Sequence, residues 1–327
     1  MSKSYLVTGG TGSFGKAFIK KIISHKEVKR IVIFSRDEAK QFYMRQEFQG
    51  NLKLRFFLGD IRDYERLHRA MKGIDTCIHA AALKQVPAAE YNPTEFIKTN
   101  IMGAENIIKA SIDLKIKKII ALSTDKASSP INLYGATKLV SDKLFTTANN
   151  ILGYQDTKFS VVRYGNVINS RGSVIPFFKD LVNKGSKKLP ITHKEMTRFL
   201  ITLSQGVNFV LNCLKIMKGG EIFIPKIPSC KIIDIVKAID QKLSFKVIGI
   251  RPGEKIHEEL CSKDESNKCI EFKKFYIIEP NFSFNRKLKY NQIGKFRGKR
   301  VNENFKYDSK TNNQKLSIKE LKKLINE

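Results

Sequence analysis

Residues 8–15 read Thr8-Gly9-Gly10-Thr11-Gly12-Ser13-Phe14-Gly15, directly after the apolar run Tyr5-Leu6-Val7 and directly before an amphipathic stretch of helix length. Three of the glycines have separate tasks in such a turn. Gly9 permits a tight reversal, Gly12 lets the backbone approach a pyrophosphate, and Gly15 lets the next helix lie close on the strand. Thr11, Ser13 and Phe14 complete the turn and open the helix, whose free N–H groups and positive dipole end suit phosphate. A glycine-rich turn alone is weak evidence. Here it stands between a strand and a helix at the start of a βαβ unit, which is the context a dinucleotide site requires.

The pattern continues outward from that turn. Short β-branched runs at 5–8, 30–35, 54–58, 76–79, 118–123 and 159–163 alternate with helical patterns near 13–26, 37–49, 63–72, 94–113 and 133–152. Strands alternating with helices of this length imply a parallel sheet. The expected class is α/β: a Rossmann-like doubly wound parallel sheet with a smaller C-terminal α/β substrate-binding lobe. In the second half, helices are expected at 176–184, 204–217, 231–242 and 317–326, with strands at 221–225 and 245–250. No Gly/Pro linker divides the chain. Residues 1–165 are expected to form the dinucleotide-binding domain, with later segments returning to it, and 166–327 mainly a substrate lobe.

Composition narrows the class. A chain of 327 residues can bury a sizeable core without disulfides. Its five cysteines, Cys77, Cys213, Cys230, Cys261 and Cys269, are odd in number and form no CxxC pair, so neither a disulfide framework nor a zinc site is expected. His257-Glu258-Glu259-Leu260 resembles the start of a zinc helix, but Cys261 stands where the second histidine belongs. No apolar run is long enough for a bilayer, and the N-terminus carries no secretory pattern, so a cytoplasmic location is expected. Sixty Lys and Arg against 31 Asp and Glu leave a net charge of +29. Such an excess attracts polyanions, but the lysines are dispersed and no nucleic-acid-binding signature occurs. A solvated basic surface without a nucleic-acid partner is the simpler reading.

The end of the second strand addresses the nucleotide. An NAD site places Asp or Glu there for the ribose 2′-hydroxyl. This chain has Phe34-Ser35-Arg36-Asp37 with Lys40 one turn on. Arg36 and Lys40 suit a 2′-phosphate, which favours NADP. Asp37 leaves a ribose contact open. Asp60 and Ile61, after the third strand, are expected near the adenine.

Two further clusters carry chemistry. Tyr134 and Lys138 lie four apart, on one helix face. An ammonium near a phenol favours phenolate, so Lys138 is expected to lower the Tyr134 pKa and let it take an alcohol proton. Lys138 also suits the nicotinamide ribose. Upstream, Ser123-Thr124-Asp125-Lys126-Ala127 ends the fifth strand, at the carboxyl edge where such sheets place ligands. Asp125 and Lys126 form an acid/base pair if both escape bulk water. For both to face a cleft, the chain must leave the strand at about Thr124. Burial and nearby positive charge are expected to lower the Lys126 pKa, and burial to keep Asp125 protonated.

Seven segments together resemble one family: Thr8–Gly15, His79–Pro87, Ser123–Ala127, Asn132–Lys138, Arg163–Val167, Met196–Phe199 and Arg251–Lys255. It is the inverting UDP-N-acetylglucosamine 4,6-dehydratases, the first enzymes of pseudaminic acid synthesis for flagellin glycosylation. The likeness loosens after about residue 270. Its specific mark is the Asp125-Lys126 pair, because the retaining dehydratases carry Asp-Glu there and the 4-epimerases neither.

The resemblance implies an NADP-dependent, oligomeric hydro-lyase. Its reaction is oxidation at C4, proton loss from C5, water loss from C6 and hydride return to C6. The product is UDP-2-acetamido-2,6-dideoxy-beta-L-arabino-hex-4-ulose, inverted at C5. Asp125, Lys126, Tyr134, Lys138 and Thr124 are the implied catalytic residues. Ala80, Ala81 and Lys84 join the cofactor set. Lys84, Thr124, Asn166, Ser173, Val174, Pro176, Arg198, Arg251 and Glu254 form the implied substrate set. Two other enzymes remain open, a UDP-sugar 4-epimerase and a retaining 4,6-dehydratase. A non-catalytic NADP-fold protein that binds polyanions is the alternative outside enzymes.

Overall fold

The computed structural model describes residues 2–282 and 288–326; Met1, 283–287 and Glu327, the latter two within the expected substrate lobe, lie outside the described residues. Six strands follow the sequence pattern closely: β1 (Ser4–Thr8), β2 (Arg30–Ser35), β3 (Leu54–Leu58), β4 (Thr76–His79), β5 (Lys118–Thr124) and β6 (Lys158–Tyr164). They pair in parallel in the order β3-β2-β1-β4-β5-β6. The order reverses beside β1, which opens a crevice at the carboxyl ends of β1 and β4. The strands are apolar on both faces because helices cover both; β1 and β4 are buried throughout.

The sheet extends beyond β6. Ile222–Pro225 adds in parallel, then Phe275–Ile278, Cys269–Glu271 and Lys299–Arg300 add antiparallel, to give ten strands. A separate three-stranded sheet joins Asn166–Val167, Thr197–Ile201 and Ser229–Lys231. The strand expected at 245–250 occupies Ser244–Val247 and pairs with Lys188–Ile191, outside the large sheet. Beside it, Val174–Asn183, Ile232–Ile239 and Ile318–Asn326 close a second apolar cluster around Phe178, Ile235 and Leu321. Each such side chain contributes roughly 1.5–3 kcal/mol by leaving water.

Four helical expectations are corrected: that at 133–152 ends at Thr147, followed by a 3₁₀ turn at Ala148–Asn150, and that at 231–242 ends at Ile239. The first helix ends at Ile22 rather than near 26. The expected helix 94–113 is broken: Pro93–Phe96 leads into a wide π-turn, Ile97–Met102, before the regular helix Gly103–Asp113. Gly103 sits where a Cβ would come within 2.6 Å of the Ile61 side chain, so the element passes close under the loop after β3.

Candidate active site

A cavity of about 1210 Å³ opens at the carboxyl ends of the parallel strands. The glycine turn forms one end. Gly9 has φ +62°, and a Cβ there would meet the Ala81 backbone nitrogen at 2.9 Å. A Cβ on Gly15 would meet Gly10 Cα at 2.6 Å. The helix Ser13–Ile22 starts at Gly12 with no side-chain cap, so its first N–H groups are left for a ligand. The chain positions expected for a cofactor all lie on the cavity wall: Gly9, Thr11, Gly12, Ser13, Phe14, Gly15, Ser35, Arg36, Lys40, Asp60, Ile61, Ala80, Ala81, Lys84, Tyr134 and Lys138.

The charges after β2 are arranged by local contacts. Asp37 caps the helix Glu38–Glu47 by accepting from the Lys40 backbone N–H and also pairs with the Lys40 ammonium. That carboxylate is therefore occupied. Arg36 and Arg62 both reach Asp60, at 3.4 and 2.7 Å. Burial alone would raise the Asp60 pKa, but the Arg62 hydrogen bond and both guanidiniums bring it below its ordinary value. Free N–H groups at the start of the first helix, with Arg36 and Lys40 after β2, fit a dinucleotide.

The reactive cluster stands in the middle of the cavity. β5 ends at Thr124, and Asp125–Ala127 form a single 3₁₀ turn. Thr124 starts that turn by accepting from the Lys126 N–H. Gly135 makes room for it, since a Cβ there would lie 2.2 Å from the Lys126 carbonyl oxygen. Asn132 caps the helix Leu133–Thr147 through Gly135 N–H at 2.7 Å, and its amide donates to Gly253 O at 2.7 Å. One side chain thus joins the Tyr134 helix to the Arg251–Glu254 turn.

Lys126 lies on the wall with its side chain 22 % exposed, whereas Asp125 is wholly buried one layer behind. Asp125 Oδ1 accepts from Thr124 Oγ1 at 2.9 Å and from Lys126 Nζ at 3.0 Å. Lys138 Nζ donates to Leu122 O at 2.8 Å. Burial lowers the Lys138 pKa against the pull of Asp142.

The sequence missed one functional group. Glu258, only 1 % exposed and on the cavity wall, places Oε1 3.1 Å from Lys126 Nζ and 3.8 Å from Arg198 Nε. Two proton expectations change in the folded site. Burial pushes the Lys126 pKa down, as expected, but Asp125 and Glu258 reverse it and hold the amine above its ordinary value. Burial pushes Tyr134 up to about 12; the opposing cation is Lys126, helped by a Thr124 hydrogen bond, and not Lys138. The Asp125 pKa is raised by burial, with Lys126 opposing and Glu258 assisting.

On the far side of the cleft, Asn166, Ser173, Val174, Arg198, Arg251 and Glu254 lie on the wall, and Pro176 does not. Pro176 is in the first turn of Val174–Asn183, two residues past Val174. Arg198 is buried and reaches Glu254 at 3.4 Å. Lys84 crosses the cleft to donate to Arg171 O at 2.9 Å.

Residues 5–280 match the family described as polysaccharide biosynthesis protein. This chain belongs to that family. A polysaccharide biosynthesis protein of this length has named relatives along its whole extent. The chain is 54% identical to a "UDP-N-acetylglucosamine 4,6-dehydratase (inverting)" of Campylobacter jejuni subsp. jejuni serotype O:23/36 (strain 81-176), covering 99% of this chain and 97% of the relative. It is 41% identical to a "UDP-glucose 4-epimerase" of Rickettsia massiliae (strain Mtu5), covering 99% and 96%. Among solved structures, Pen from Bacillus thuringiensis superposes with a TM-score of 0.89 at 38% identity, covering 99% of this chain and 97% of that one. Among the described residues no helix is long and apolar enough to cross a membrane.

Proposed function

We propose that this chain is an inverting UDP-N-acetylglucosamine 4,6-dehydratase using NADP. The observation that carries the reading is Lys126, paired with buried Asp125 and facing the same cavity as Tyr134. A 4-epimerase needs a base at C4 only, so a second acid/base pair in the cleft favours elimination. The full-length likeness to the Campylobacter dehydratase supports the same choice.

Tyr134 takes the C4 hydroxyl proton, and Lys138 holds the nicotinamide ribose. The bound nicotinamide supplies hydride acceptance at C4 and hydride return at C6. The resulting ketone acidifies C5–H, and Lys126 removes that proton. Asp125 gives its proton to the departing C6 hydroxyl, with Thr124 Oγ1 linking its carboxyl to the cavity. Lys126 then returns a proton to C5 from the opposite face. Arg198 and Asn166 bind the diphosphate, Ser173 and Val174 lie beside the uracil, and Arg251 with Glu254 holds the uridine. Residues 1–165 chiefly serve the dinucleotide and 166–327 the sugar nucleotide. The reading includes a cytoplasmic homo-oligomer supplying pseudaminic acid synthesis.

Purified protein with UDP-N-acetylglucosamine in deuterated water is expected to give a 4-keto-6-deoxy sugar, inverted and deuterated at C5, by NMR. A product epimerised at C4 and still hydroxylated at C6 would overturn the reading. The cofactor choice has its own test. Arg36→Ala is expected to weaken NADP⁺ binding about ten- to a hundredfold while NAD⁺ changes little, because one charge-assisted phosphate contact is worth roughly 1.5–3 kcal/mol. Calorimetric titration of both dinucleotides checks it; equal weakening would count against a 2′-phosphate contact.

A further inference from the structure

The reactive cluster contains two carboxyl groups and one ammonium. Asp125 and Glu258 approach Lys126 Nζ from two sides, at 3.0 and 3.1 Å. They are not equivalent. Glu258 Oε1 faces a second cation, Arg198 Nε at 3.8 Å. Among the described residues Asp125 meets Lys126 and the Thr124 hydroxyl at close range but no second cation; the outer oxygens of the two carboxyls, Asp125 Oδ2 and Glu258 Oε2, are alike buried without a hydrogen-bond partner. Two carboxylates sharing one cation in a buried site do not both ionise readily, and the one with more positive neighbours ionises first.

We infer that Glu258 is a positioning residue: the ionised counter-ion of Lys126 and Arg198, whose charge leaves Asp125 holding the proton that the dehydration needs. This rests on the dehydratase reading for its purpose, but the charge assignment stands on the geometry. The remaining groups around Asp125 fit it. Lys255 and Tyr134 lie in its electrostatic reach, and Lys255 is tied back to Ser128 O at 2.7 Å. Burial opposes ionisation of Glu258, yet Lys126 and Arg198 hold it below the ordinary carboxylate range. In the acid step the Asp125 O–H and sugar C6–O bonds break, and water forms. When Lys126 acts as base, Glu258 Oε1 stands within hydrogen-bond distance to receive its surplus proton, so Asp125 need not.

The test reads protons rather than turnover. Infrared spectra of the purified protein at neutral pH, minus those of Asp125→Asn, should show a protonated carboxyl band from Asp125. The subtraction removes bands of buried carboxyls away from the cluster, such as Asp142, Glu221 and Asp308. In Glu258→Gln, Asp125 is the remaining counter-ion of Lys126 among the described residues. Its titration should move to lower pH by about one to three units, and the band should vanish at neutral pH and return on acidification. Glu258→Asp keeps the charge and should keep the band. An Asp125 band unchanged in Glu258→Gln, or no Asp125-dependent band in the parent, overturns the inference. Neither result depends on the sugar product, so failure of the dehydratase reading is seen separately, in the NMR assay.

Discussion

Lys126→Ala is expected to lower dehydration of UDP-N-acetylglucosamine by roughly 10³-fold, the scale of a lost general base, while oxidation at C4 survives. The two steps separate because they use different bases. Tyr134 stays in place on its own helix, and nothing in its backbone depends on the residue-126 side chain. C4 oxidation should still slow by about tenfold, because the Lys126 charge opposes the burial that pushes the Tyr134 phenol up. The variant should reduce bound NADP⁺, read by near-ultraviolet absorbance, without releasing a 4-keto-6-deoxy sugar. Dehydration within tenfold of the parent would remove Lys126 from the elimination. The variant also discriminates the epimerase reading, because interconversion at C4 would continue.

Tyr134→Phe is expected to fail earlier in the sequence. It removes one oxygen atom, and both C4 oxidation and dehydration should fall by roughly 10³-fold or more. Cofactor reduction should be lost as well, which separates this variant from Lys126→Ala. The pH dependence has a definite sign. Tyr134 accepts a proton only as phenolate, and burial places its pKa at about 12. The parent's C4 oxidation rate should therefore climb with pH through the neutral range, and that climb should be absent in the variant. Single-turnover rates at several pH values measure it. A variant that still oxidises C4 with the parent's pH dependence would show another base at work.

The extent to which the sequence was readable follows the range of the physics involved. The six parallel strands stood out because each is a continuous apolar run bounded by turn residues. The helix break at Ile97–Met102 did not, because the apolar periodicity passes through a wide turn with little change. The strands Cys269–Glu271, Phe275–Ile278 and Lys299–Arg300 were missed for another reason. Strands of two to four residues carry too little periodicity to read, and their pairing partners are distant in sequence. Glu258 stood in plain view beside His257, but as the remnant of a metal pattern. Its one local signal was its place just past the Arg251–Lys255 turn. The proton expectation for Lys126 went wrong partly through that omission, and that for Tyr134 because its opposing cation comes from another element, since a buried group's charge depends on neighbours that only the fold supplies.

Taken alone, the sequence determined the dinucleotide turn, the order of alternating elements and the presence of an acid next to an amine at the carboxyl end of β5. Those are short-range matters: glycine conformations, two periodicities and residues adjacent in the chain. Tertiary structure decided which of the two carboxyl groups beside Lys126 is placed to keep its proton and which cation opposes burial at Tyr134. Coulomb interactions in a site shielded from water are strong at 3–4 Å, and here they join 126 to 258 and 258 to 198, positions no local pattern connects.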